Sequence, residues 1–321
     1  MYRFIIRRVL SAIPLLIAIT LVSFAIMQMA PGDFLTQMSL NPQISPQLIE
    51  KLRVTYGLDQ PVYVRYLRWL WGVVRLDFGY SFAYHMPVIK LIAQRAAATL
   101  LLGLSSTIFA WGIAVPLGIL AAVHRNSWID RLTSILAFMG ISVPTAFLAL
   151  LAVFVAARTG WLPIGGMHHM SYEFMSPWQQ FWDLLRHLVL PTLVLGIGML
   201  AGLMRQVRSN LLETLRSDYV TTARAKGVSE RVAVYRHAFG NAINPLITIF
   251  GYYIGDLLSG AALVEIVMAW PGLGRLMLDA LSGKDIYLVM GSLVISSIML
   301  ISGNLLADIL LAYSDPRIRY N

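Results

Sequence analysis

The sequence predicts an all-α polytopic membrane protein with six transmembrane helices, and three observations carry that prediction. Charged residues make up 13% of the 321 positions, about half the share found in soluble domains. Hydrophobic residues make up 58%, and the mean hydropathy is +0.69. The few charges are clustered, which leaves uncharged stretches near the roughly 20 residues that a helix rising 1.5 Å per residue needs to cross a bilayer. Such a chain cannot wet its own surface. An ordinary soluble enzyme, a disordered tail and a collagen-like fibre are excluded.

The spans follow in chain order. Between Arg8 and Asp33 lie 24 uncharged residues, between Arg95 and Arg125 there are 29, and between Arg131 and Arg158 there are 26. The stretch between Arg186 and Arg205 is the shortest at 18. The fifth stretch, 238–269, is interrupted only by Asp256 and Glu265, and the sixth, 286–307, has 22 uncharged residues. Pro116, Pro144 and Pro191 mark expected kinks. The first stretch is too long for a signal-peptide core, and Gln28-Met29-Ala30 lacks a small residue at −3. An uncleaved anchor is the expectation.

Six spans put both termini on one side. That side carries Arg3, Arg7 and Arg8, then Arg125 and Arg131, then the cluster from 205 to 236, then Arg317 and Arg319. The other side's cations lie mostly in the long segment 31–95, and long segments translocate largely regardless of charge. Both termini are therefore expected in the cytoplasm. The net charge of +9 then reflects topology and gives no reason to expect nucleic acid as a partner.

Two segments outside the spans are large enough to be structured. The outer one, with Trp69, Trp71 and several Tyr, predicts amphipathic helices at the interface. The cytoplasmic one, 205–240, predicts helix, break, helix. Leu211, Leu212, Leu215, Tyr219, Val220 and Ala223 recur at helical spacing, and Gly227 after Lys226 reads as a C-terminal glycine. Ser229 can cap a second helix bearing Val232, Ala233 and Tyr235, and Asn244-Pro245 fits the start of the fifth span.

Enzymatic chemistry is thin. None of Lys51, Lys90, Lys226 and Lys284 closes a phosphate-binding Gly-x-x-x-x-Gly-Lys-Ser/Thr loop, and no His-Glu-x-x-His or Gly-x-Ser-x-Gly occurs. With no cysteine there is no disulfide framework, thiolate metal site or cysteine nucleophile. Met167-His168-His169-Met170 has ligand-type side chains, but adjacent residues share no helix face, so it reads as a polar loop tip. An acid at the bilayer centre costs about 2.5–3.5 kcal/mol on insertion scales. Asp256 must therefore face a cavity or a partner, where it either contacts solute or bonds a neighbouring span. Asp308 and Asp315 are expected at the inner end of the sixth span.

The informative tract is Tyr219-Val220-Thr221-Thr222-Ala223-Arg224-Ala225-Lys226-Gly227. It resembles the cytoplasmic signature of binding-protein-dependent ABC importer permeases, which runs Glu-Ala-Ala, three residues, then Gly. Thr221 and Thr222 depart from that pattern, while Ala223 and Gly227 match it. The dipeptide/oligopeptide/nickel branch looks closer. Its Ala-Arg-Ala-Lys-Gly, Arg-His-Ala and Asn-Ala-x-x-Pro elements correspond here to 223–227, Arg236-His237-Ala238 and Asn241-Ala242-Ile243-Asn244-Pro245. Further matching elements run from end to end. They are Pro31-Gly32-Asp33, Tyr56-Gly57-Leu58-Asp59-Gln60-Pro61, Asp77-Phe78-Gly79-Tyr80-Ser81, Trp270-Pro271-Gly272-Leu273-Gly274 and Asp315-Pro316-Arg317-Ile318-Arg319.

The resemblance implies a type I ABC importer permease of the bacterial inner membrane, with an N-terminal helix and periplasmic segment (1–95), a transmembrane core (96–313) and a cytoplasmic tail (314–321). It implies a homologous second permease, two ATP-binding cassette subunits holding ATP with Mg, and a periplasmic or lipid-anchored substrate-binding protein. The chain itself would bind no cofactor or metal and would not be an enzyme. The loop 205–240 would dock in the ATPase through Tyr219, Thr221, Thr222, Ala223, Arg224, Ala225, Lys226 and Gly227. Di- and oligopeptides are the first expected cargo, with nickel chelates or glutathione as alternatives. Asp256 and Glu265 are candidate pathway residues. Asp256 departs from the small residue usual in the branch, and Glu265 matches a common family acid, for which a structural role beside Trp270-Pro271-Gly272 is favoured over substrate contact. An ion-coupled secondary transporter is the remoter reading; it would need several intramembrane charges along one path.

Overall fold

The computed structural model describes residues 2–29, 32, 34–39 and 43–314, and within these the side chains of 2–4, 37, 248–249, 251–260, 307 and 310–314 are outside the description. Asp33, Asp315, Arg317 and Arg319 fall outside the described residues. So does the side chain of Asp256.

The described chain is almost wholly helical. Among the described residues, four helices are long and apolar enough to cross a membrane. They are α1 (Tyr2–Met29), α5 (Val88–Val123), α8 (Pro177–Leu215) and α14 (Ile286–Ser314). The fifth predicted stretch is also helical, as α12 (Asn244–Val267), with Pro245 in its first turn as expected.

The third predicted span differs. Its uncharged stretch is divided between α6 (Trp128–Ser142) and α7 (Thr145–Thr159), which meet at an angle of 97°. Pro144 has no N–H to continue α6, and its ring drives Val143 to an extended ψ of 122°. The two halves then find different partners, α6 packing on α8 while α7 packs on α8 and α12. Pro116 and Pro191, by contrast, are absorbed inside α5 and α8 without ending them.

The chain forms two compact units. The first comprises Thr99–Trp270 and the described residues from Ser302 onward. Its core runs along α8 through Leu203, Met204, Val207 and Leu211, joined by Val220, Ala233, Val234 and Leu246. Leu132, Leu136, Phe147, Leu150 and Phe154 on α6 and α7 are exposed, an apolar surface suited to lipid or to another membrane subunit.

The second unit comprises Tyr2–Ala98 and Pro271–Ile301. Its outer segment folds into α2 (Phe34–Met38), α3 (Pro46–Thr55) and α4 (Val62–Val74). On α4, Tyr66 and Trp69 are buried while Tyr63, Leu67, Trp71 and Val74 form an exposed apolar stripe, the pattern of an interfacial helix. A minimal hairpin of β1 (Tyr80–Ser81) and β2 (Met86–Pro87) follows, an element that the all-α expectation did not contain. It is pinned by Asp285, whose carboxylate accepts the Ser81 hydroxyl at 2.7 Å and the Ala83 amide at 3.2 Å. The amphipathic α13 (Leu273–Ser282) buries Leu273, Leu276 and Ala280 in the same unit.

Candidate functional site

The loop 205–240 begins inside α8. Arg205 marks a charge boundary and not a helix end, so the helix continues to Leu215 and spans 39 residues. The break expected only at Gly227 therefore has a forerunner at Arg216–Ser217, after which α9 (Asp218–Ala225) turns away. Leu211 and Val220 are fully buried and hold the two helices together. The second short helix is α10 (Glu230–Val232), which passes into a π-helical turn over Ala233–Ala238 and then α11 (Phe239–Ala242). Ser229 occupies the cap position of α10, but its side chain makes no capping bond. Ala233, Val234, Ala238 and Ala242 are the buried residues here, while Val232 and Tyr235 are exposed.

Gly227 sits at the apex with φ +79°, in the left-handed region that only glycine enters freely. A Cβ there would meet nothing within 4 Å. The glycine is thus required by backbone conformation and not by crowding within the chain. Its amide donates to the Arg224 carbonyl at 2.9 Å, and the Val228 amide donates to the Ala223 carbonyl at 3.2 Å. Both bonds close the C-terminal turn of α9.

Two side-chain braces fix the turn. Across the glycine, Arg224 donates through Nε and Nη2 to both Glu230 carboxylate oxygens, at 2.9 and 2.6 Å. The guanidinium holds the Glu230 carboxyl below its ordinary pKa, and the same bonds raise that of Arg224. Across the base of the loop, Asn241 Nδ2 donates to the Tyr219 hydroxyl at 2.9 Å and to the His237 carbonyl at 3.3 Å. Thr221, Thr222, Ala225, Lys226 and Gly227 remain exposed, with Ala223 half-buried behind them. The predicted residues therefore form one contiguous tip.

A third brace was not foreseen. Arg208 on α8 donates through Nε and Nη2 to both oxygens of Asp130 in the first turn of α6, and the same carboxylate accepts the Asn126 amide at 2.9 Å. No local spacing announces a pair 78 residues apart. Glu230 was also missed as a partner of Arg224; six residues across a predicted glycine turn was the available signal.

The two candidate pathway acids stand apart. Glu265 is fully buried and accepts the Thr99 hydroxyl at 2.6 Å, one turn before the buried Trp270. Asp256 lies in the backbone of α12. The histidine tract is organised by an acid outside it, as Asp183 accepts the His169 amide at 2.9 Å and lies 3.3 Å from His187 Nδ1. Burial lowers the pKa of His168, whose ring lies tilted against that of Tyr172, the centroids 3.8 Å apart. Among the described residues no cluster could hold a metal ion.

Comparison with known proteins identifies the family. Residues 114–320 match the binding-protein-dependent transport system inner membrane component, and residues 1–103 match the N-terminal component of such transport systems. The oligopeptide transport system permease protein AppB of Bacillus subtilis is 42% identical, with all of both chains aligned. The dipeptide transport system permease protein DppB of Escherichia coli K12 is 38% identical over 100% of this chain and 99% of its own. In fold, a chain of the MetNI methionine ABC transporter, crystallised facing inward, superposes with a TM-score of 0.57 over 71% of this chain and 97% of its own, at 20% identity. The protein belongs to the inner-membrane permease family of binding-protein-dependent ABC importers, and its relatives place it in the peptide branch.

Proposed function

We propose that the chain is one of two homologous permeases of an ATP-driven importer for di- and oligopeptides. It crosses the inner membrane six times with both termini in the cytoplasm. The tip at 219–227 seats in one of two ATP-binding cassette subunits, which hold and hydrolyse ATP with Mg, while an external binding protein delivers cargo. The sections 1–95, 96–313 and 314–321 act as anchor with outer segment, transport core and tail.

The observation that carries this reading is the braced, exposed turn at Gly227. A coupling element must transmit force without deforming, and the Arg224–Glu230 and Tyr219–Asn241 bonds on either side of a left-handed glycine make a stiff knob. The peptide cargo follows from the oligopeptide and dipeptide permeases that align over the whole chain. In this reading Glu265 is a structural acid, since its carboxylate is already engaged by Thr99, and Asp256 is the pathway candidate. The test is uptake of a radiolabelled dipeptide into vesicles holding the complete complex. Uptake should need ATP inside and binding protein outside, and accumulation that follows an imposed proton or sodium gradient without ATP would overturn it.

A further inference from the structure

Within the second unit, α4, the turns flanking it, the small hairpin and Tyr287 line an open cavity of about 390 Å³. Arg65 and Arg68, three residues apart and so on one face of α4, line it together with the rings of Tyr56, Trp69, Tyr80 and Tyr287. Gly57, at φ +64° in the region that favours glycine, lies beside the Arg68 guanidinium, whose Nη1 would be 2.7 Å from a Cβ at that position.

The cations are incompletely used. Arg65 donates to Gln28 Oε1 at 3.3 Å through Nη1, a neutral acceptor. Arg68 has the Gln60 amide oxygen at 3.1 Å. The cavity's one acid, Asp77, already accepts the Gly79 amide at 2.9 Å. Each guanidinium is thus bonded only to a neutral side-chain amide, and among the described residues neither has an ion-pair partner. Two guanidinium groups on one wall match the two oxygens of a carboxylate, and the rings beside them leave fewer neutral donors and acceptors to compete for the same ligand.

We propose that this cavity binds a carboxylate, held by Arg65 and Arg68. Two sources present that chemistry on the outer side of the membrane. One is the free C-terminus of a peptide. The other is an acidic side chain of the external binding protein, which rests on the importer reading above. Neither arm of the test uses ATP, so its failure leaves the coupling reading standing.

The experiment uses the complete importer complex in nanodiscs, wild type and with Arg65→Gln or Arg68→Gln. Retention of labelled trialanine and of trialanine amide is measured without binding protein, and the affinity of the binding protein is measured separately. Trialanine retained at least about tenfold better than the amide, and lost in both variants, establishes the peptide source. No retention of either tripeptide, with binding-protein affinity reduced about tenfold in both variants, establishes the protein source. Affinities and retention that do not differ between wild type and variants overturn the site. Where a Gln variant fails to assemble, Arg65→Lys and Arg68→Lys replace it under the same criteria, since lysine keeps the charge but lacks the fork.

Discussion

Arg208 and Asp130 lie 78 residues apart and make a two-point guanidinium–carboxylate bond between α8 and α6. The carboxylate is nearly inaccessible, with a side-chain exposure of 6%. It also secures the turn before α6 through the Asn126 amide, a residue at φ +63°. Removing either partner leaves the other charge poorly solvated. Asp130→Asn and Arg208→Ala should each cost about 2 kcal/mol, read as a lower melting temperature in detergent. The double variant should cost clearly less than the two single costs added together. Additive costs would mean that the pair is incidental.

The second prediction concerns pH at the loop tip. Arg224 lowers the pKa of Glu230 from its usual value near 4.5, so the carboxylate form is favoured by folding. A carboxyl depressed in the folded state contributes its stability above the unfolded pKa and loses it as pH falls through the folded one. The turn should therefore keep constant protection between pH 6 and 8, by roughly the reference pKa values, and loosen in acid. Hydrogen-exchange protection over 218–230, corrected for intrinsic rates, reads this directly. Glu230→Gln should remove the acid dependence; an unchanged profile in that variant would dismiss the brace.

Much of this architecture was legible in the sequence, and the limits have physical causes. Uncharged stretches found the helices because lipid tolerates few charges, yet charge marks a membrane boundary and not a helix end. For that reason Arg205 did not reveal that α8 continues to Leu215. Pro144 announced a disturbance at 143–144 but not its 97° extent, which depends on what α6 and α7 each pack against. The turn at Gly227 was readable because a left-handed residue is a local property. Arg208–Asp130 and Thr99–Glu265 were not, since helical contacts at such separations follow from packing alone.

Thr99→Val should separate the two acids. The substitution keeps the volume but withdraws one donor from the buried Glu265 carboxylate, at about 1–3 kcal/mol. Stability of the complex in detergent should fall, while the KM for dipeptide uptake stays at the wild-type value. A changed KM with unchanged stability would return Glu265 to the pathway.

Asp256→Asn carries the complementary expectation. If the carboxylate faces solute, uptake or its pH dependence changes while assembly, judged by copurification of the partner subunits, is intact. Unaltered uptake with intact assembly would assign the residue to interhelical bonding.

The central claim is that the tip at Gly227 transmits ATP-driven movement to the spans. Gly227→Val forces a β-branched residue into φ +79°, at about 1–3 kcal/mol of local strain, and Gly227→Ala should act in the same direction more weakly. Ala223→Asp adds a charge behind the exposed tip, where a close contact with a partner would reject it. The direct measurement is dipeptide uptake beside ATP hydrolysis in vesicles reconstituted with the full complex. The expected result is normal insertion of the permease, uptake lost in Gly227→Val and Ala223→Asp, and ATPase subunits either released or hydrolysing without transport. Normal uptake at normal hydrolysis in both variants would contradict the account.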